Sequence, residues 1–117
     1  MREQTIHVVE SYIDAVRRND AAALPLHPDV IGEFPLNTYR GADAFREAVE
    51  PFAQILKSID ILRLIADGEH CVAILDIDTI YGHIPFAEHI HVVNREIVSV
   101  RAYYDPRPLL GSSNPTA

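Results

Sequence analysis

The chain is 117 residues long, 48% hydrophobic and 23% charged, a size that fits one domain able to bury a core without staples. Its formal charge of −7 and its single adjacent basic pair, Arg17-Arg18 with Asp20 close behind, exclude a face that replaces phosphate counterions, so neither nucleic acid nor anionic lipid is an expected partner. No apolar run approaches the ~20 residues of a membrane span, the N-terminus reads as no secretory signal, and the lone Cys71 fits a reducing cytoplasm.

Over residues 3–19, Ile6, Val9, Ile13 and Val16 fall on one helical stripe, bordered by Tyr12 and Ala15. Asn19-Asp20 stops that helix, and Asp20 can cap a short second one before Pro25 and Pro28 break it. Residues 30–34 read as a strand ending at Pro35 and residues 37–41 as loop. The helical period returns at Phe45, Val49, Phe52 and Leu56, with a kink or fresh start expected at Pro51. Everything after Ser58 reads as strand: 59–66, the turn pair Asp67-Gly68, then 71–81, a turn at Gly82-His83, and the pair 85–93 and 97–104. Residues from Pro106 onward are rich in Pro, Ser and Gly, giving one domain over 1–110 and a loose tail over 111–117.

Helices followed by a run of antiparallel hairpins mean α+β. A long sheet that buries one face against a few helices must curl, and the curl makes a cone-like pocket. A small apolar or weakly polar molecule is the expected ligand.

With that order of elements, the segments YIDAV, ND, HPDVIGEFP, YRGADAF and AEHIHVVNREIVSVRAYYDP resemble the nuclear transport factor 2-like superfamily. The likeness is to its SnoaL-like and ketosteroid-isomerase-like branch and runs over about residues 6–110. It implies a cystatin-like cone and a cofactor-independent enzyme of the isomerase or lyase type, or a non-catalytic binding module. In ketosteroid isomerases a Tyr at the place of Tyr12 donates to a dienolate oxyanion. An acid before a His on a late strand is kept protonated and donates as well, and Glu88-His89 falls on that pattern. The physics fits, because a carboxyl in an apolar pocket holds its proton more tightly. The alternation Phe86, Glu88, Ile90, Val92 puts Glu88 on an otherwise apolar face.

The isomerase's general base is an Asp immediately before the Pro that ends the first strand, and this chain has Phe34 there. Glu33 is adjacent but turns to the other face unless the strand end bulges or twists. Matching the isomerase pattern on the 71–81 strand points Ile74, Asp76, Asp78 and Ile80 at the cavity, where two close carboxylates could share a proton. Leu75 and Ile77 make an equally good buried face, so alternation alone leaves the register open. Phe34, Ile74, Phe86, Ile90, Val100, Ala102 and Tyr104 are the expected pocket lining. The epoxide-hydrolase branch is a third reading. Its trio of an Arg and an Asp two apart and an Asp on the last strand meets Asp76, Asp78 and Ala102 here, so one of three is retained.

His83, His89 and His91 lie opposite Glu88 and specify no third ligand at a defined spacing, so no metal is expected. No glycine-rich nucleotide loop is present either, and no cofactor is implied. Tyr81, His89, His91 and Tyr103 give the outer sheet face a polar-aromatic character that suits a homodimer.

Overall fold

The computed structural model describes residues 1–111. It contains helix α1 (Arg2–Arg17), a 3-10 turn (Ala21–Ala23), strands β1 (Leu26–Glu33) and β2 (Thr38–Arg40), and helix α2 (Ala42–Ile55). Strands β3 (Leu56–Asp67), β4 (His70–Thr79), β5 (Gly82–Val93) and β6 (Glu96–Tyr103) follow, then helix α3 (Arg107–Gly111). The expected α+β class holds: six strands form one open, curved sheet in the order β2-β1-β6-β5-β4-β3, with the helices on its inner face. One pairing departs from the antiparallel expectation, because β1 runs parallel to β6.

Helix α1 buries Thr5, Val8, Val9, Tyr12, Ile13, Ala15 and Val16. The buried stripe is rotated slightly from the expected one, leaving Ile6 only half-buried. Two polar contacts fix the helix across the sheet. Thr5 Oγ1 donates to the Gly68 carbonyl at 2.7 Å, and Arg17 donates to the Ile59 carbonyl through Nη2 at 2.6 Å and Nε at 3.1 Å. Together they lay α1 along β3 and hold Tyr12 over the sheet. Asn19, at φ 52°, ends the helical path, as the short polar residues that tolerate this region do.

Helix α2 runs unbroken through Pro51. Proline forfeits the bond to the Glu47 carbonyl, but both residues lie on the exposed side, where water can satisfy the freed oxygen. Arg46 ties α2 to the preceding turn by donating to the Ala21 and Leu24 carbonyls at 3.1 and 3.3 Å. The 37–41 stretch, expected as loop, supplies the short edge strand β2, paired to β1 from Ile31↔Arg40 to Glu33↔Thr38. Register shifts between Leu26 and Ile31 in the parallel β1–β6 pair, and twice along the antiparallel β3–β4 pair, supply the irregularity by which the sheet bends. The β5–β6 hairpin turns through Asn94 and Arg95, both at positive φ, which is the two-residue turn that follows strand twist.

Gly32 decides how closely α2 approaches the sheet. A Cβ there would sit 2.6 Å from Phe45 Cε2 and 2.9 Å from the Phe34 ring. Gly32→Ala should therefore cost about 1–3 kcal/mol by overpacking, read as a lower urea midpoint at unchanged slope. An unchanged midpoint would show that the Phe45 ring moves freely. At the C-terminal end, residues 107–111 are helical where loose chain was expected. Asp105 accepts from the Arg107 backbone N–H at 3.0 Å and from its guanidinium at 2.6 Å, which starts the turn. The remainder of the expected 111–117 tail lies outside the described residues.

Candidate functional site

Between the sheet and the two long helices lies a cavity of about 210 Å³. Its walls are Tyr12, Ile13 and Val16 of α1, Phe45, Ala48, Val49 and Phe52 of α2, and Ile59, Leu75, Ile77, Phe86 and Glu88 of the sheet. Phe34, Leu36, Asn37 and Tyr39 of the β1–β2 hairpin and Tyr104 and Leu109 beyond β6 complete it. The alternation along β5 buries Ile84, Phe86, Glu88, Ile90 and Val92 on the inner face. A carboxyl thereby stands in an apolar row under the middle of α1.

Glu88 is 6% and Tyr12 4% exposed. Removal from water pushes the Glu88 carboxyl up to about 7, and hydrogen bonding from the Tyr12 side chain opposes that rise. Burial, followed by the Glu88 charge, pushes the Tyr12 phenol well above its ordinary range, so it stays a neutral donor. Glu88 Oε1 is buried and has no hydrogen-bond partner among the described residues. A buried carboxyl oxygen without a partner costs free energy, and here it borders a cavity. Burial also raises the Tyr104 phenol, and the nearby Tyr39 and Glu88 add to that shift.

Aromatic rings hold these groups. Tyr12 meets Phe45 edge-on at 6.2 Å, Phe45 meets Phe34 at 5.8 Å, and Phe34 meets Tyr39 at 5.7 Å. On the other wall Phe52 lies 6.0 Å from Phe86, which stacks on Tyr104 at 4.0 Å.

Tyr12, Glu88, Phe34, Phe86 and Tyr104 are thus brought together, and the other expected residues are not. Ile90 and Val100 are fully buried on the inner face but away from the cavity wall. Ala102 pairs with Glu88 across β5–β6, buried beside it without lining the cavity.

Asp76, Asp78 and Ile74 must be corrected. The inner face of β4 carries Cys71, Ala73, Leu75, Ile77 and Thr79, so the other three point outward. Asp76 contacts His83 Nε2 at 2.6 Å and is 37% exposed, while Asp78 lies 3.9 Å from Lys57 Nζ and is 43% exposed. The reason is that α1 packs on β3 and β4, and burying two unpaired carboxylates beneath it would cost far more than burying Leu75 and Ile77. Glu33 also faces outward, exposed and 4.0 Å from Arg101, because Gly32 takes the inner position beside it. No bulge turns it back.

Tyr39, Phe45, Phe52 and Leu75 line the cavity without having been singled out. The helical period that placed Phe45 and Phe52 on one face was the available signal for those two. Tyr39 sat in apparent loop and gave none. His89 lies on the outer face as expected, 3.0 Å from His70, and His91 there meets Glu69 at 3.2 Å.

Residues 9–104 match the family model described as the SnoaL-like domain. The chain belongs to the SnoaL-like family. No curated protein matches this SnoaL-like chain. Among solved structures it is similar to a protein from Kribbella flavida, with 26% identity, TM-score 0.88, and 94% of this chain and 93% of that one covered. A nuclear transport factor 2-like protein of unknown function from Cytophaga hutchinsonii is 23% identical, with TM-score 0.80 and coverage of 91% and 94%. A second Kribbella flavida protein, provisionally named a ketosteroid isomerase, is 19% identical, with TM-score 0.77 and coverage of 89% and 79%. The last two likenesses carry the fold alone. For this SnoaL-like domain the chemistry rests on the cavity itself, because one fold of this kind hosts many activities.

Proposed function

We propose that the cavity enolises a small, mostly apolar carbonyl compound, with Glu88 as the proton-transfer group and Tyr12 as the donor to the developing oxyanion. The observation that carries this reading is the buried, unpartnered Glu88 carboxyl oxygen on an otherwise apolar wall. With Asp76, Asp78 and Glu33 in solvent and Phe34 at the expected base position, Glu88 is the only carboxyl on the lining among the described residues. A carboxyl poised near neutrality suits general base work at physiological pH.

In this step Glu88 takes a proton from the carbon next to the carbonyl. The C–H pair becomes the C=C bond, and the carbonyl π pair moves onto oxygen, where the neutral Tyr12 hydroxyl holds it. Returning the proton from Glu88 to the same or a conjugated carbon completes an exchange or an isomerisation. A second reading, a non-catalytic binding pocket, is favoured by Phe34 where the fold's isomerases have their base.

Deuterium uptake by small cyclic ketones, followed by NMR, separates the two. Exchange above buffer should rise through about pH 7 and level off as Glu88 ionises. It should fall about a hundredfold or more in Glu88→Gln and about a hundredfold in Tyr12→Phe. Asp76→Asn and Asp78→Asn should leave it unchanged. Exchange no faster than buffer, with ligand still bound, would establish the binding module instead.

A further inference from the structure

All four phenylalanines and three of the five tyrosines of the chain line this same cavity. They form two chains of contact, one through Tyr12, Phe45, Phe34 and Tyr39, the other through Phe52, Phe86 and Tyr104. In the first chain the rings meet at 62–63°, edge to face. Neighbouring rings in such a chain differ in orientation, and a further planar ring can meet a face or an edge.

Volume and charge narrow the guest. A cavity of about 150 Å³ holds benzene, so the 210 Å³ here match one ring with a short substituent, whereas a fused four-ring skeleton would have to project past the rim at Leu36 and Asn37. No Lys, Arg or His lines the walls among the described residues. An anionic guest would thus meet Glu88 with no cation to pair it, which selects against charge.

We infer that the cavity selects a neutral, planar, single-ring compound whose one oxygen sits at the Tyr12–Glu88 end and whose ring completes the aromatic girdle. The inference rests on the reading of that end as the reacting end, and it narrows the class of substrate to conjugated cyclic ketones and their phenol-like enol forms.

The test compares dissociation constants, by calorimetry at mildly acid pH, for para-ethylphenol, its saturated counterpart para-ethylcyclohexanol, para-hydroxyphenylacetate and a four-ring steroidal phenol. The planar ring should bind at least tenfold tighter than each of the other three. Phe34→Leu, at the rim of the girdle, should shrink the advantage of the planar ring over the puckered one, which separates ring packing from hydroxyl acidity. Equal affinity for the puckered alcohol, for the anion or for the four-ring phenol overturns the inference, as does an advantage untouched by Phe34→Leu. The two readings fail separately. Ring selectivity without proton exchange removes only the catalysis, whereas exchange that is as fast on saturated cyclic ketones as on planar enones removes only the ring preference.

Discussion

Glu88→Gln should make the protein more stable at alkaline pH, although it removes the residue on which the proposed chemistry turns. The native carboxyl binds its proton more tightly than the unfolded one, with its pKa raised from 4.5 to about 7 by burial. The contribution to stability is therefore complete below the unfolded value, is lost as pH rises between the two, and stays lost above about 7. A difference of that size amounts to on the order of 3 kcal/mol. Glutamine has the shape of the protonated acid and never ionises.

Wild type and variant should accordingly melt together near pH 4. Near pH 8 the variant should melt higher by roughly 10 °C for a domain of this size. Because every other titrating group is shared, the difference between the two curves isolates Glu88. A variant that melts at or below wild type at alkaline pH would mean that the native carboxyl is well solvated when ionised. A buried acid that destabilises its own fold at neutral pH is what a functional group, rather than a structural one, looks like.

Phe45→Ala should carry the largest cost of any single core truncation at the cavity, about 3–5 kcal/mol. The ring is 1% exposed and touches Tyr12, Phe34 and the gap left by Gly32. Removing it takes away the contact by which α2 reaches both α1 and β1, and frees Tyr12 to rotate from Glu88. Urea unfolding would show the loss directly, and phenol affinity should fall with it. Phe45→Leu, which refills most of the volume, should recover most of the stability. A loss below about 1 kcal/mol for the alanine variant would mean that the walls collapse into the space, contrary to a preformed cavity.

The legible part of the site is the part with one competing pattern. Along β5 only one alternation is apolar, so Phe86, Glu88, Ile90 and Val92 had to share the inner face, and Glu88 had to be the exception among them. On α1 the helical period fixed the stripe beside Tyr12 to within a small rotation. The glycine of Asp67-Gly68 likewise announced the β3–β4 hairpin through local backbone chemistry, although Asp67 still pairs with His70 and the turn itself is Gly68-Glu69.

Where two patterns competed, the tertiary structure decided. Strand β4 offers Ile74 with two aspartates on one face and Leu75 with Ile77 on the other, and both read as amphipathic. The weight of α1 on β3 and β4 settles the matter, because the covered face excludes water and two unpaired carboxylates cannot pay for that while two aliphatic chains can. Tyr39 enters the cavity only because β2 pairs with β1, a contact with no local signature. Tyr104, expected in the lining, is held there by stacking on Phe86. The sequence by itself determined the class of fold, the two long helices and the run of hairpins, and it put Glu88 on the inner face of β5, while Tyr12 was singled out by the family resemblance. Which carboxylates stay in water, and which rings close the cavity, was decided by burial against segments far away along the chain.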